Sequence, residues 1–336
     1  MTEYYSLKWT GNTLSMIDQR CLPAEEVYLE FSDHRQVADA IRDMVVRGAP
    51  AIGSAAGYGM ALAAINAQSG SDEGLLIEMQ KAGNILKAAR PTAVNLAWAV
   101  DRVLSAASRA KNICEAVIQE AQAIFDEDVR ANIQIGLNGL ELVPQNARFI
   151  HHCNTGALAT SGYGTALGVI RAAHEHGRNV FVYVDETRPR LQGARLTAWE
   201  LQKLGIPHQV IVDGASGHVM RTRGVDLCVV GCDRVASNGD TANKIGTFNL
   251  ALAAKAHNVP FYVVGPTSTI DPHTPDGAGI PVEERGAEEI CVIEGQPVAP
   301  AGTPAFNPAF DVTPYEYITA IVTEKKVNYP PFLFTM

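Results

Sequence analysis

Two residues, Cys153 and Asp233, each stand where an apolar, strand-like run of the sequence ends. A thiolate is a reactive group, and an aspartate in a partly apolar pocket can have a raised pKa and donate a proton. In an open parallel sheet, ligands bind outside the carboxyl ends of the strands. We therefore expect these two side chains to form the catalytic pair of an enzyme. Cys228, which lies inside such a run, is expected to be an inert core thiol.

Three cations, Arg47, Arg90 and Lys244, each come shortly before a predicted helix start. The macrodipole makes a helix N-terminus favourable for an anion and unfavourable for a cation, unless an anion lies between them. Three such misfits in one chain predict a phosphate-binding site. The loop 185–193, which carries two arginines and two acids and ends at Gln192-Gly193, is expected to contact sugar hydroxyls.

A metal site and a dinucleotide site are the alternatives. Only His151 and Cys153 share a strand face, and the six cysteines include no CxxC pair, so a zinc site is disfavoured. Gly162-Tyr163-Gly164 resembles the start of a dinucleotide fingerprint. However, the third glycine, Gly168, falls one residue late, and the loop before the motif is too long. These residues therefore predict neither a metal nor a nicotinamide cofactor.

The secondary-structure elements that must position these residues follow two different patterns along the chain. Near the N-terminus, the runs 6–10, 13–17 and 26–31 predict a small antiparallel sheet, and helical patterns follow it. From residue 147 on, strand-like runs alternate with helical patterns, which is typical of βαβ units and a doubly wound parallel sheet.

The boundary between these two parts is expected near the last helix of the first part, which gives domains at 1–125 and 126–336. The tail predicts an ordered loop at 307–314, followed by a helix from Pro314.

Composition excludes several classes of protein. A net charge of -9 and a pI near 5.5 argue against non-specific binding to nucleic acid or to an anionic membrane. No uninterrupted apolar run is long enough to span a bilayer, and the first residues lack the pattern of a signal peptide. The six cysteines have no framework spacing, so we expect reduced thiols and a cytoplasmic protein.

Motifs along nearly the whole chain resemble those of the methylthioribose-1-phosphate isomerase family of methionine salvage. They are Arg47-Gly48-Ala49-Pro50-Ala51-Ile52-Gly53, Arg90-Pro91-Thr92, His152-Cys153-Asn154-Thr155-Gly156, Asp185-Glu186-Thr187-Arg188-Pro189, Gln192-Gly193-Ala194-Arg195-Leu196-Thr197, Gly231-Cys232-Asp233-Arg234, Gly239-Asp240-Thr241-Ala242-Asn243-Lys244-Ile245-Gly246-Thr247 and Asn307-Pro308-Ala309-Phe310-Asp311. Cys232 is a small departure, because the family more often has alanine or a similar small residue there.

The resemblance implies an N-terminal α+β domain, a Rossmann-like C-terminal domain, a homodimer, and no metal or organic cofactor. It implies Cys153 and Asp233 as the catalytic pair. It also implies a set of substrate contacts, of which the cationic ones bind mainly phosphate: Arg47, Gly48, Ala49, Arg90, Gln192, Asn243 and Lys244.

The expected reaction converts 5-methylthioribose 1-phosphate to 5-methylthioribulose 1-phosphate. Asp233 is the general acid for ring opening, and Cys153 assists transfer of hydrogen from C2 to C1, either as a base through an enol phosphate or by supporting a hydride shift. The 5-substituent stays open, since an apolar pocket discriminates weakly. The alternatives are an isomerase of 5-deoxyribose 1-phosphate or ribose 1,5-bisphosphate, or a regulatory subunit of the translation-initiation exchange factor, which lacks the pair.

Overall fold

The structure is a computed structural model that describes residues 4–91, 93–293 and 295–334. Thr92 of the Arg90 motif lies outside these residues. The chain forms two compact units: unit 1 comprises the residues up to Arg130 together with Gly156–Gly164, and unit 2 comprises Ala131–Thr155 and the residues from Thr165 onward. The boundary predicted between residues 125 and 126 falls in the same long helix as the division at Arg130 and remains a proposal.

Unit 1 begins with the predicted antiparallel sheet, which consists of three strands in sequence order. The strands are β1 (Leu7–Trp9), β2 (Leu14–Ile17) and β3 (Tyr28–Phe31). Helices follow, the last of which continues into unit 2. They are α1 (His34–Arg42), α2 (Ala49–Asn66), α3 (Asp72–Ala89), α4 (Val94–Ala107) and α5 (Ile113–Leu140).

Helix α2 forms the centre of unit 1, because its residues 51–64 are all buried. Alanines and glycines supply much of this stretch, so neighbouring helices can approach its backbone closely, as the composition indicates. A helix that is apolar on every face is stable only inside a core. Asp33 is the N-cap of α1: its side chain accepts from the amide of Arg35, and Gln36 completes a capping box.

Unit 2 alternates strands and helices, as predicted. Its strands are β4 (Asn146–His152), β5 (Asn179–Asp185), β6 (His208–Ile211), β7 (Leu227–Val230), β8 (Arg234–Ala236), β9 (Thr241–Lys244), β10 (Phe261–Val264), β11 (Ile270–Asp271), β12 (Val292–Ile293), β13 (Gln296–Pro297), β14 (Phe310–Thr313), β15 (Ala320–Val322) and β16 (Val327–Asn328). Its remaining helices are α6 (Ala166–Glu175), α7 (Ala198–Lys203), α8 (Ser216–Arg223), α9 (Thr247–Ala256) and α10 (Glu288–Cys291).

The main sheet has seven strands in the order β16-β15-β10-β7-β4-β5-β6, and all its neighbours except β15 and β16 run parallel. From β4 the chain first adds β5 and β6 on one side, and it then crosses to the other side to add β7 and β10. The switch point of this doubly wound sheet therefore lies between β4 and β7, where ligands bind in such folds. The carboxyl ends of these two strands lead to Cys153 and Asp233.

The tail differs from the prediction. The expected helix from Pro314 is wrong: a single 3-10 turn at Tyr315–Tyr317 leads into β15, a buried apolar strand that pairs with β10. The gain from burying Ala320, Ile321 and Val322 in the sheet outweighs the helix-starting signal of the proline. Within the described ranges, none of the helices combines the length and apolar character that crossing a membrane requires.

Candidate active site

Cys153 follows directly on β4 and has a backbone that few residues of its type adopt. Its φ is 68°, in the left-handed region. Its amide donates to Thr187 Oγ1 at 2.8 Å, and its carbonyl accepts from Thr197 Oγ1 at 2.7 Å. A non-glycine residue in this region persists only where its surroundings fix it, and such residues cluster at functional sites. The two threonine hydroxyls provide that constraint on both sides of Cys153.

The threonines are themselves held by polar groups, of which Asn154 and Glu200 are buried and Asp213 is half-buried. Thr187 also has a positive φ, 65°, and its amide donates to the carboxylate of Asp213 at 2.7 Å. Thr197 accepts from the side-chain amide of Asn154, which also donates to the buried Glu200 at 2.7 Å. The conformation of Cys153 thus depends on a polar network in which carboxylates hold the backbone of Thr187 and the side chain of Asn154, and not the two hydroxyls directly.

Gln192 lies in the loop that carries these threonines. A Cβ on the next residue, Gly193, would lie 1.7 Å from the carbonyl oxygen of Asp185, so only glycine lets the loop close onto the end of β5. The Gln192 side chain is buried, and its Oε1 has no hydrogen-bond partner among the described residues. A buried carbonyl oxygen of this kind can accept a bond from a ligand hydroxyl.

Asn243 and Lys244 end strand β9, which pairs antiparallel with β14 of the Asn307 motif. Asn243 donates to Thr247 Oγ1 at 2.9 Å. The ammonium of Lys244 donates to the carbonyl of Ala309 at 2.8 Å and lies 4.6 Å from the centroid of the Phe310 ring. Few lysines are so fully buried in folded proteins.

Burial lowers the pKa of Lys244, and the negative charges of Cys153 and Asp233 oppose that effect. The amine therefore lies within electrostatic reach of both members of the predicted pair. A buried cation beside a thiol favours the thiolate form.

The reason given above for an anion at Lys244 is wrong. Helix α9 begins at Thr247, and its N-terminus is already occupied by a carboxylate of the protein: Asp311 accepts from the amides of Gly246 at 2.8 Å and Phe248 at 3.2 Å. Lys244 ends a strand and does not begin the helix. Its assignment as a substrate contact remains a proposal, for which its burial near Cys153 is the support.

Asp233 follows β7 and opens the hairpin of β8 and β9, where its amide donates to the carbonyl of Ala242 at 2.9 Å. The residue is exposed, whereas the sequence led us to expect a partly apolar pocket. The preceding thiol, Cys232, points into the protein, 3.3 Å from Thr269 Oγ1, and burial raises its pKa to about 12. Asp233 and Cys232 therefore differ sharply in their access to solvent.

The other predicted contacts belong to unit 1. Arg47 precedes α2, and its Nε donates to Gln19 Oε1 at 3.2 Å. Gly48 is the N-cap of α2 with a φ of 98°, and a Cβ there would lie 2.3 Å from the carbonyl oxygen of Ala159. Only glycine meets both conditions. Arg90 is the C-cap of α3, and it also comes shortly before α4, which begins at Val94, as predicted.

Within unit 2, the carboxyl edge of the sheet gathers Cys153, Asp233, the Gln192 loop and the end of β9. Within unit 1, Arg47, Gly48 and Ala49 lie together at the start of α2. Sequence reasoning missed the polar residues that hold Cys153, above all Thr187 and Thr197. Their only signal is their place in the motifs that flank the loop.

One group of described residues, His152, Asp185 and Asp213, has ligand atoms within 4.8 Å of one another. These atoms already bond to the protein. Both ring nitrogens of His152 face protein oxygens, Asp185 accepts from Ser216, and Asp213 accepts from the amides of Thr187 and Arg188. The arrangement is an internal hydrogen-bond network, and the absence of a metal from the reaction stays a prediction.

Comparison with known proteins adds to this geometry. Residues 45–330 match the model of the initiation factor 2 subunit family. A protein of Synechococcus sp. named methylthioribose-1-phosphate isomerase is 57% identical over 99% of this chain and 97% of its own length. The crystal structure of 5-methylthioribose 1-phosphate isomerase from Pyrococcus horikoshii is 44% identical, covers 98% of this chain and 94% of that one, and has a TM-score of 0.94. The crystal structure titled translation initiation factor eIF-2B, subunit delta, from A. fulgidus is 40% identical, covers 98% of this chain and 97% of that one, and has a TM-score of 0.91.

Proposed function

Because the chain belongs to the initiation factor 2 subunit family, and within it to the methylthioribose-1-phosphate isomerases, we propose that it converts 5-methylthioribose 1-phosphate to 5-methylthioribulose 1-phosphate in methionine salvage. The observation that carries the proposal is the position of Cys153 and Asp233 at the carboxyl ends of β4 and β7, on the two sides of the switch point. The extensive identity to proteins named as this isomerase supports the substrate.

The substrate carries phosphate on its anomeric oxygen, so its ring cannot open to a free aldehyde. Opening needs a proton at the ring oxygen, and we assign this step to Asp233 as general acid. Because Asp233 is exposed, it can regain its proton from water. The hydrogen at C2 then moves to C1 with the help of Cys153, either through an enol phosphate or as a hydride.

The proposed substrate contacts divide by chemistry. Arg47, Arg90 and Lys244 supply positive charge for the phosphate, in a chain whose net charge is -9. The unpartnered Oε1 of Gln192 supports a bond to a sugar hydroxyl. The remaining contacts come from Gly48, Ala49 and Asn243. No metal or organic cofactor takes part in this scheme.

The second candidate function is isomerisation of a related sugar phosphate, since 5-deoxyribose 1-phosphate and ribose 1,5-bisphosphate differ from the substrate only at C5. A regulatory role is a weaker alternative, motivated by the A. fulgidus structure that is titled as an initiation-factor subunit. Retention of both Cys153 and Asp233 favours an enzyme.

We further propose a cytoplasmic homodimer that binds neither membrane nor nucleic acid. The acidic composition supports the lack of binding to membrane and nucleic acid, and the free cysteines support the cytoplasm. The homodimer is what the family resemblance implies.

The test is to incubate dialysed, EDTA-treated protein with a panel of 5-substituted ribose 1-phosphates and to measure ketose phosphate. Conversion without additions, fastest for the 5-methylthio compound, is the expected result. An absolute need for NAD or a metal would contradict the mechanism, and a faster reaction with 5-deoxyribose 1-phosphate or ribose 1,5-bisphosphate would reassign the substrate. Conversion of none of the panel would point to the regulatory alternative.

A further inference from the structure

His152 is the last residue of β4, next to Cys153, and its side chain is fully buried. Its Nδ1 lies 3.0 Å from Asp185 Oδ2, and its Nε2 lies 2.9 Å from the carbonyl oxygen of Ile245. A carbonyl oxygen only accepts, so Nε2 carries a proton. The other oxygen of Asp185 accepts from Ser216 Oγ at 2.8 Å, which favours the carboxylate form. With Asp185 as a carboxylate, this geometry requires both ring nitrogens to donate, which makes the ring an imidazolium.

The charged groups around His152 favour this state. Burial alone would lower the pKa of His152, but the hydrogen bond and charge of Asp185 outweigh it, and Asp213 adds to the rise. Asp311 on β14 is a further acid within electrostatic reach. Burial lowers the pKa of His151, the neighbour on the same strand, to about 4, so that ring is neutral at pH 7. Burial also raises the pKa of Asp185 against its hydrogen bonds.

The imidazolium fixes the short connection between β9 and α9. Ile245 lies in that connection, between Lys244 and the helix cap Gly246. A Cβ on Gly246 would lie 2.8 Å from His152 Cε1, so the glycine leaves the space that the ring occupies. The His152 ring thus links the end of β4, which Cys153 follows, to Ile245, which follows Lys244.

We propose that His152 is a positioning residue for the isomerase reaction: held by Asp185, its imidazolium fixes the Ile245 carbonyl and thereby places Lys244 relative to Cys153. This inference rests on the proposed function. His152 does not touch the substrate in this scheme. A neutral imidazole has a single N–H and can keep only one of the two bonds, so loss of the charge releases either Asp185 or the Lys244 connection.

The pair predicts a specific pH dependence. Since the pKa of His152 is raised, the arrangement is fully present below the ordinary pKa of histidine and is lost as the pH rises through the raised pKa. Asp185→Ala removes the charge that sustains the imidazolium, and unlike asparagine it offers no N–H group that could bond to a neutral ring. We expect kcat/KM to fall by roughly 10- to 100-fold at pH 8, as for a misplaced catalytic group. The alkaline limb of the profile should move down by about one pH unit or more, with KM changing less than kcat.

Two further variants complete the experiment. Ser216→Ala removes the bond that favours the Asp185 carboxylate and should move the limb in the same direction by a smaller amount. Ser54→Ala is the matched control: Ser54 is equally buried and bonds to Ser161, but it has no link to the pair, so its limb should not move. If Asp185→Ala does not fold, Ser216→Ala carries the test. A lower melting temperature with an unmoved limb in every folded variant would show a merely structural role and overturn the proposal.

Nitrogen-15 NMR of the histidine rings separates this inference from the proposed function. At pH 7 the wild type should show both nitrogens of His152 protonated, and Asp185→Ala should show one. A neutral His152 ring in the wild type would overturn the inference, whatever the enzyme does. A protonated ring in a wild type that converts no sugar phosphate would instead overturn the proposed function, and the positioning role would fall with it.

Discussion

The parallel strands of the seven-stranded sheet have their amino ends on one side, here called the amino edge, and their carboxyl ends on the other, the carboxyl edge. These two edges differ in exposure, hydrogen bonding and backbone conformation. At the amino ends of β4, β5 and β7, the polar residues Asn146, Arg148, Asn179 and Asp226 are exposed and surround a surface cavity of about 530 Å³. At the carboxyl ends, many polar side chains are buried and hydrogen-bonded to one another, although Asp233 is exposed. Three non-glycine residues there, Cys153, Thr187 and Leu191, have positive φ.

The difference shows which part of the fold contains features that lower its stability. Buried polar groups and left-handed backbone each cost about 1–3 kcal/mol unless their surroundings compensate. Buried polar side chains are concentrated at the carboxyl edge. In unit 2, the described non-glycine residues with positive φ are Cys153, Thr187 and Leu191 at this edge and the exposed Asn258, before β10, at the amino edge. Asparagine tolerates this conformation better than the other three residue types. A polar residue at the carboxyl edge therefore predicts function, whereas the same residue type at the amino edge predicts solubility.

The strongest test of this contrast is removal of the catalytic pair. Asp233→Asn keeps the shape but removes the transferable proton, so kcat should fall by roughly two to four powers of ten while binding changes little. Cys153→Ser should lose turnover similarly, because a hydroxyl is far less acidic than a thiol. Steady-state assays on both variants test this, and normal turnover by Asp233→Asn would show that the pair is structural.

Thiol labelling refines the same test. A limiting amount of iodoacetamide should modify Cys153 first, and substrate should protect it. Cys228 and Cys232 should react slowly, because burial raises the pKa of both thiols. Peptide mapping after partial labelling distinguishes the sites, and modification of Cys153 only after unfolding would exclude an accessible reactive thiol.

The next largest effect is expected from the cations. Arg47→Ala, Arg90→Ala and Lys244→Ala should each weaken substrate binding by about 1.5–3 kcal/mol, the range for charge-assisted hydrogen bonds. Lys203→Ala is a matched control, since that lysine also lies over an aromatic ring, Trp199, but is exposed. Unchanged KM and kcat/KM in all three test variants would rule out the proposed phosphate contacts.

Substitution of one glycine at each edge compares how much each position contributes to the free energy of unfolding. Gly177, before β5 at the amino edge, and Gly246, at the carboxyl edge, both have positive φ, but a Cβ on Gly177 meets nothing within 4 Å. Gly177→Ala should cost about 1–2 kcal/mol from backbone strain alone. Gly246→Ala should cost about 1–3 kcal/mol more, because it also collides with His152. Urea unfolding measures both, and equal losses would show that the His152 contact yields freely.

The smallest effect should come from Arg148 at the amino edge. Its side chain is exposed and donates to the carbonyl of Arg223. Arg148→Ala should change the free energy of unfolding by no more than about 0.5 kcal/mol and leave turnover unaltered, as is usual for surface substitutions. A loss of activity comparable to that of Arg47→Ala would break the contrast between the edges.

The sequence predicted the sheet well, because buried parallel strands read as short apolar runs with clear ends. This placed Cys153, Asp185, Asp213 and Asp233 at one edge. The pairing of β9 with β14 was not predictable in this way. The run 241–244 has no strand pattern, and its partner lies far along the chain, at 310–313.

The same long-range pairing explains why the sequence wrongly predicted an anion site at the N-terminus of α9. Only the fold brings Asp311 to the amides of Gly246 and Phe248, so local sequence indicated an empty anion site where the protein supplies its own carboxylate. The left-handed backbone of Cys153 could likewise not be predicted from the sequence, because cysteine has no preference for this conformation.

The segment Gly156–Gly164 has a consequence for how the protein is made. It belongs to unit 1, where Leu158 and Thr160 offer carbonyls to Gln19 and Ser6, and Ser161 bonds to Ser54. A ribosome releases it only after α5 and β4 have been synthesised. The N-terminal unit of a nascent chain thus remains incomplete, with buried polar groups awaiting partners, until the first strand of the next unit has emerged. The two units must mature together, and a fragment ending at Arg130 would lack part of its own interior.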